Sequence, residues 1–330
     1  MAQSDSAHDE LLMQGRKLSP EEVKELQTTA DVDPTDLESR IELLGYYFGK
    51  SLRSTEAGKA QQKLVLWLIK NHPELPVAGS PETHIHSFTN PDGYLQAKRL
   101  WLETAEEQND NPIVLGNAAS FFLLSDRSQA EDLLKKAQAV EPDNPKWSSQ
   151  LGQLYSLSSH GEAERERRRQ SIKALAEYER AMELEKDQRQ IYYLLADLAK
   201  VAFEAGSTEK AEQYANQLLK MSTEVGQDWN NGNAVHHGNL VLGRLALQSG
   251  DIDKAKSYLL EAGKTQGSPQ LNSFGPNMTL AKELLEKGEK EVVLEYFQLC
   301  GKFWRRKELD QWSAVVNGGG LPEFGANLRY

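Results

Sequence analysis

Residues 111–145 read NPIVLGNAASFFLLSDRSQAEDLLKKAQAVEPDNP, and this stretch decides the fold. Its apolar spacing predicts two short amphipathic helices, over about 112–124 and 129–140, joined by the tight turn SDRS. Small residues such as Ala118 and Ala137 stand where two packed helices approach each other, and larger apolar residues fill the space between them. A proline then ends the second helix, because proline donates no backbone N–H and clashes with the preceding turn. The stretch therefore indicates a helix–turn–helix unit.

The same succession of small and large residues recurs along most of the chain. Its markers after residue 145 are Gly152, Ala174, Tyr178, Ala181, Ala199, Ala215, Gly243, Ala262 and Ala281. This spacing resembles the tetratricopeptide repeat (TPR), a 34-residue helix–turn–helix unit. The resemblance covers roughly residues 35–303 and implies an all-α fold, a right-handed α-solenoid of TPR-like helix–turn–helix repeats with irregular spacers. The sequence shows no alternation of period two, the pattern that predicts a strand.

The pattern divides the chain into four predicted regions. Residues 1–18 are polar and are predicted to form a disordered N-terminal tail. Residues 19–110 are predicted to form an irregular helical region with one TPR-like unit, and residues 111–303 are predicted to form the repeat array. Residues 304–330 are predicted to form a capping helix and tail, because a solenoid must cover its last apolar face.

The charge and composition exclude several classes of protein. A formal net charge of −11 disfavours general binding to nucleic acid or to a membrane surface, since both need a basic surface. The 39% apolar and 26% charged residues are typical of a globular protein. No apolar run approaches the roughly 20 residues that span a bilayer, and the N-terminus has no signal-peptide pattern. The expected location is the cytoplasm, although a chain from which a leader had been removed would have the same pattern.

Motifs of catalysis and cofactor binding are absent from the sequence, including G-x-S-x-G, the P-loop and G-x-G-x-x-G. Cys300 is the only cysteine, and it falls at a small, buried position of its repeat, where a thiol packs as a small apolar group. His84 and His86 form an H-x-H pair for which the sequence supplies no converging third ligand. The sequence therefore predicts no metal and no cofactor, and it favours a binding protein over an enzyme.

The TPR resemblance also implies which residues face a ligand, because positions 2, 5, 9 and 12 of each repeat line a concave groove in that family. The last three repeats place Tyr193 and His237 at position 2, Lys200, Arg244 and Lys282 at position 9, and Phe203 at position 12. Three aligned cations predict a basic stripe in the C-terminal half of the groove. Such a stripe suits a protein or peptide ligand, and an acidic one in particular. The alternative is that these cations pair with the chain's own acidic residues.

Two polar segments, 226–239 and 263–278, interrupt the repeat and support a second hypothesis. Long loops on a rigid scaffold often carry function, and both segments combine Gly and Asn with an aromatic residue. The candidate loop residues are Trp229, His236, His237, Asn272, Phe274 and Asn277. They predict an enzyme or a small-ligand-binding protein as the alternative to a protein-binding adaptor. Two further alternatives stay open, that the segments are merely inter-repeat turns and that the chain is a structural subunit that self-assembles.

Overall fold

The computed structural model describes residues 2–159 and 163–328, and all the regular secondary structure in these ranges is helical. The prediction of an all-α fold built from helix–turn–helix repeats is therefore confirmed. Within the described ranges, no helix combines the length and the apolar character that crossing a membrane requires. The chain forms two compact units, Met1–Trp147 and Ser148–Tyr330, which are called unit 1 and unit 2 below.

Unit 1 begins with seven α-helices. They are α1 (Ala2–Gly15), α2 (Pro20–Val32), α3 (Glu38–Ser51), α4 (Thr55–Asn71), α5 (Pro91–Glu107), α6 (Pro112–Phe122) and α7 (Arg127–Val140). Two short 3-10 helices, Pro76–Gly79 and Pro81–Thr83, replace a regular helix between α4 and α5. The next helix, α8 (Pro145–Ser159), begins in unit 1 and continues into unit 2. The boundary between the two units lies at residues 147 and 148. The sequence pattern predicts a different boundary, at residue 110, between the irregular helical region and the repeat array.

Unit 2 holds the more regular helix pairs. Its helices are α9 (Glu164–Leu184), α10 (Gln188–Glu204), α11 (Thr208–Glu224), α12 (Asn231–Gln248), α13 (Ile252–Gly263), α14 (Pro269–Phe274), α15 (Thr279–Leu285), α16 (Lys290–Cys300) and α17 (Lys307–Asn317). A 3-10 turn, Gly325–Leu328, follows. Helices α10 and α11 pack as one pair and α12 and α13 as the next, and α12 also contacts α10 and α15. Apolar side chains of α16 and α17 cover the last core.

The small residues that the sequence places at helix contacts are buried. Ala118 and Ala137, on the paired helices α6 and α7, are fully inaccessible to solvent. In unit 2, an added Cβ on Gly152 would lie 2.8 Å from the ring of Tyr178, and one on Gly243 would lie 2.3 Å from Leu280. Larger side chains at these positions would overlap their neighbours, so the prediction of close helix contacts there is confirmed.

The N-terminal segment differs from its prediction. Residues 2–15 form helix α1 instead of a disordered tail, and α1 lies against α3. The two backbones approach closely at two glycines. An added Cβ on Gly15 would lie 2.0 Å from the carbonyl oxygen of Glu42, and one on Gly45 would lie 2.2 Å from that of Leu12. A tertiary contact that only glycine permits therefore holds a helix that its polar sequence does not predict.

The two polar segments are also more ordered than the sequence predicts. Helix α12 already begins at Asn231, so more than half of segment 226–239 is helical, and α14 lies inside segment 263–278. Asparagine and glycine are poor helix formers, which is why local propensity predicts loops there. Hydrogen bonds to a neighbouring segment compensate, since Thr265 donates to the carbonyl oxygen of Gly232 at 3.0 Å and Ser268 donates to Asn233 at 2.6 Å.

Candidate functional site

The residues predicted to face a groove lie on three neighbouring helices of unit 2. Tyr193, Lys200 and Phe203 belong to α10, His237 and Arg244 to α12, and Lys282 to α15. The sides of α10, α12 and α15 that carry these six residues are called the first-helix face. Because α12 contacts both of the other helices, the structure brings this predicted column of side chains onto adjacent elements.

Arg244 lies at the centre of the first-helix face and forms two ion pairs within the chain. Its Nη1 lies 2.8 Å from Glu204 Oε1 on α10, and its Nη2 lies 2.9 Å from Glu283 Oε1 on α15. The guanidinium also lies over the ring of Phe203, 4.2 Å from the centroid. Burial by itself would lower the pKa of Arg244, but Glu283 and Glu204 together raise it. The Arg244 side chain is only 22% exposed, and its ion pairs link α12 to α10 and to α15.

The two lysines of the column are more exposed and are also near acidic residues. Lys200 Nζ lies 2.9 Å from Asp197 Oδ1, and Lys282 Nζ lies 3.9 Å from Glu286 Oε1. The three cations of the column thus lie beside four carboxylates, those of Asp197, Glu204, Glu283 and Glu286. This arrangement matches the alternative of pairing within the chain, and an acidic ligand would have to displace these carboxylates. The binding role of the column stays a prediction.

The adjacent histidines lie in different surroundings, because consecutive residues of a helix point about 100° apart. His236 is fully buried; its Nδ1 lies 3.1 Å from the carbonyl oxygen of Ala262, and its Nε2 accepts from the backbone N–H of Asn277 at 3.0 Å. Burial lowers the pKa of His236 to about 4, so the neutral ring joins α12 to two later segments. His237 is partly buried, and burial together with nearby Lys200 lowers its pKa as well.

Trp229 is the exposed aromatic residue of the first polar segment. Half of its surface is open to solvent, and its ring lies 5.3 Å from the ring of Tyr193 on α10. Tyr193 in turn donates a hydrogen bond of 3.0 Å to Asp228 Oδ2, whose side chain is only 4% exposed. Desolvation and the Asp228 carboxylate raise the pKa of Tyr193. The protonated phenol can therefore act as the hydrogen-bond donor to Asp228. Sequence reasoning did not single out Asp228, because acidic residues are ordinary in polar loops.

An open cleft of about 810 Å³ adjoins Trp229 and is called the Trp229 cleft. Its lining residues are Gln227, Asp228, Trp229, Asn231, Gly232, Val235, Lys264, Thr265, Gln266 and Gly267. The floor is tightly packed, since an added Cβ on Gly232 would lie 1.8 Å from the carbonyl oxygen of Gly267. Asp228 and Lys264 are the charged residues of the lining, and its other polar side chains are uncharged.

The remaining loop candidates do not join Trp229 in lining this cleft. Asn277 is buried, where its Oδ1 accepts from the backbone N–H of Thr279 at 2.8 Å and stabilises the start of α15. Asn272 is exposed and lies close to Gly267 at the edge of the cleft. Phe274 is 71% exposed and lies outside the lining. The predicted loop site is thus reduced to Trp229, with the buried His236 and Asn277 serving the core.

No protein-family model and no curated protein matches this sequence. Among solved structures, the human IFIT1 dimer with PPP-AAAA is similar at 18% identity and a TM-score of 0.52, over 89% of this chain and 65% of that one. PilW, a type IV pilus biogenesis factor, is similar at 14% identity and a TM-score of 0.45, over 83% of this chain and 98% of that one. PilF of Pseudomonas aeruginosa is similar at 18% identity and a TM-score of 0.40, over 75% and 99%.

Sequence identities of 14–18% are evidence of a similar fold and of nothing further. The chain spans just under two thirds of the IFIT1 chain that it matches, and over that length the two share an all-helical repeat architecture. Together with the helix pairs of unit 2, this likeness shows that the chain has a TPR-like helical repeat fold.

Proposed function

We propose that this chain is a scaffold that binds a segment of a partner protein at the Trp229 cleft and the adjoining end of the first-helix face. The observation that carries the proposal is Trp229, a large aromatic side chain that is half exposed and held in place by Tyr193. Tryptophan and tyrosine dominate the binding energy of many protein interfaces, because they bury a large area at a small entropic cost. A preformed aromatic pair beside an open cleft suits that role.

The chemistry of the cleft favours a peptide over a strongly charged ligand. Gln227 and Gln266 contribute amide groups that can exchange hydrogen bonds with a peptide backbone. The amide of Asn231 already accepts from Tyr192 and donates to the carbonyl oxygen of Gly226. The two charged lining residues already have partners, since Lys264 lies 2.6 Å from Glu261 and Asp228 lies 3.6 Å from Arg189. A ligand of mixed or neutral character therefore fits the cleft better than the acidic ligand that the column of cations suggests.

RNA is a less suitable ligand, although the structure of IFIT1 contains PPP-AAAA. Nucleic acids bind through several basic residues that replace counterions along the phosphates. On the first-helix face, three cations lie beside four carboxylates, and the whole chain carries a net charge of −11. These charges would repel phosphates, so the proposed partner is a protein.

The proposal is tested by site-specific photocrosslinking in a lysate of the cells that make the protein. A benzophenone amino acid replaces Lys264, an exposed residue that lines the Trp229 cleft, in one variant and the exposed Phe274 in a control. We expect a discrete protease-sensitive adduct from position 264 that is absent from position 274, and that untagged wild-type protein competes away. No adduct from a folded variant, or an adduct removed by ribonuclease, would contradict the proposal.

A further inference from the structure

A second candidate surface lies in unit 1, between α4 and α5. The Trp67 groove has a volume of about 580 Å³ and is lined by Leu66, Trp67 and Lys70 of α4, by Arg99, Leu100 and Glu103 of α5, and by polar neighbours. Leu66, Trp67 and Leu100 are each partly exposed and give the groove an apolar floor. The groove is separate from the Trp229 cleft and lies on different helices.

The aromatic part of this floor is held from within the unit. The Arg40 guanidinium lies 4.3 Å from the centroid of the Trp67 ring, and Arg40 itself donates to backbone carbonyl oxygens, including that of Asp33 at 3.1 Å. The ring of His72 lies 5.2 Å from that of Trp67. A ring fixed in this way loses little conformational entropy when a ligand covers it, which favours binding.

The cations of the groove differ from those of the first-helix face. Lys70 and Arg99 are both exposed, and within the described ranges neither lies at ion-pair distance from a carboxylate. Glu103, one turn after Arg99, is the single acidic residue among those that line the groove. Lys70 and Arg99 therefore place two exposed positive charges beside the apolar floor of the groove.

We propose that the Trp67 groove binds an acidic amphipathic segment of a partner protein. An aliphatic or aromatic side chain of that segment covers Trp67 and Leu100, while Asp or Glu residues on either side of it pair with Lys70 and Arg99. The charge complementarity selects this occupant, since the groove offers positive charge around an apolar floor. Nucleic acid would need more cations than these two, and it would gain little from the leucines. The inference does not depend on the function proposed for the Trp229 cleft.

The test selects ligands from a phage-displayed library of random peptides against the full-length chain. Selected peptides are labelled with fluorescein, and their affinities are measured by fluorescence anisotropy. The test variant is Lys70→Glu with Arg99→Glu. The matched control is Lys59→Glu with Lys63→Glu, which makes the same change in charge at exposed positions of α4 outside the groove. Circular dichroism and thermal melting establish that both variants fold, and Lys70→Gln with Arg99→Gln replaces the test variant if it does not.

We expect the library to yield peptides in which acidic residues flank an apolar one. Their binding should weaken by about tenfold or more in the groove variant and by less than about threefold in the control. Failure to select such peptides, or equal losses in both variants, would overturn the proposal. Two other results, in the absence of peptide binding, would also overturn the proposal. Self-association that disappears in the groove variant would assign the groove to a second copy of the chain. Binding to phosphatidylserine vesicles that disappears in the groove variant would assign it to a lipid surface.

Discussion

The first-helix face of unit 2 and the Trp67 groove of unit 1 both present cations, but they use them differently. Arg244 of the first-helix face contacts two carboxylates and an aromatic ring from neighbouring helices. Lys70 and Arg99 of the groove are exposed, and the described residues offer them no ion pair. A cation already bonded inside the fold stabilises the fold, whereas an exposed cation beside apolar side chains retains its capacity to bind a ligand. An aligned column of cations in a repeat is therefore weak evidence of a ligand where carboxylates of the same chain already pair with those cations.

The largest expected effect concerns the buried polar part of unit 2, at His236. Its pKa is about 4 in the folded chain and about 6.5 when unfolded, so between these values the unfolded chain binds more protons. The stability that comes from the neutral ring is full above pH 6.5 and is lost as the pH falls towards 4. We expect this residue alone to reduce the free energy of unfolding by about 3 kcal/mol between pH 7 and pH 4.

Urea unfolding of the wild type and of His236→Gln at both pH values checks this expectation. The variant removes the titrating ring, so the difference between its pH dependence and that of the wild type isolates His236 from the carboxylates. A difference below about 1 kcal/mol would mean that the ring is solvated and that the polar interior of unit 2 is looser than described.

The next largest effect concerns Arg244 of the first-helix face, compared with Arg99 of the Trp67 groove. Arg244→Met should lower the free energy of unfolding by about 2 kcal/mol, because it leaves Glu204 and Glu283 partly buried without their counter-ion. Arg99→Met, an identical change in the groove, should alter it by less than about 0.5 kcal/mol, since no ion pair is broken. Chemical denaturation of both variants at low salt measures the two effects. Equal losses of stability in the two variants would show that Arg244 and Arg99 stabilise the fold to the same extent, and would contradict the comparison.

The smallest effect is expected for the two lysines of the column. Lys200→Ala and Lys282→Ala each break an exposed local ion pair, which contributes about 0.5 kcal/mol or less. Thermal melting of the two single variants checks the expectation. A loss above about 1 kcal/mol in either would show that the lysines are part of the structural network around Arg244.

The parts of the fold that follow a local period were predictable from the sequence. Ala118 and Gly243 fall at regular small positions, and the close helix contacts there are confirmed. Helix α1 was not predictable, because it depends on a backbone contact between Gly15 and α3 that no local pattern reveals.

The candidate site was predictable only in part. The repeat register predicted that Arg244 lines a ligand groove together with Lys200 and Lys282. It did not predict the partners of Arg244, Glu204 and Glu283, which lie about 40 positions away on either side. Irregular spacers shift the stacking of the repeats, so the sequence alone does not show which acidic residues meet the cation. His236 illustrates the same limit, since its helix turns it towards Ala262 in the core, away from the cleft.

A pair of double-mutant cycles tests the central claim most directly, by measuring the coupling free energy of each cation with a neighbouring carboxylate. One cycle combines Arg244→Met with Glu283→Gln, and the other combines Arg99→Met with Glu103→Gln, all read by urea unfolding. We predict a coupling above about 1 kcal/mol for Arg244 with Glu283 and below about 0.5 kcal/mol for Arg99 with Glu103. A coupling near zero in the first cycle, or an equal coupling in both, would contradict the account.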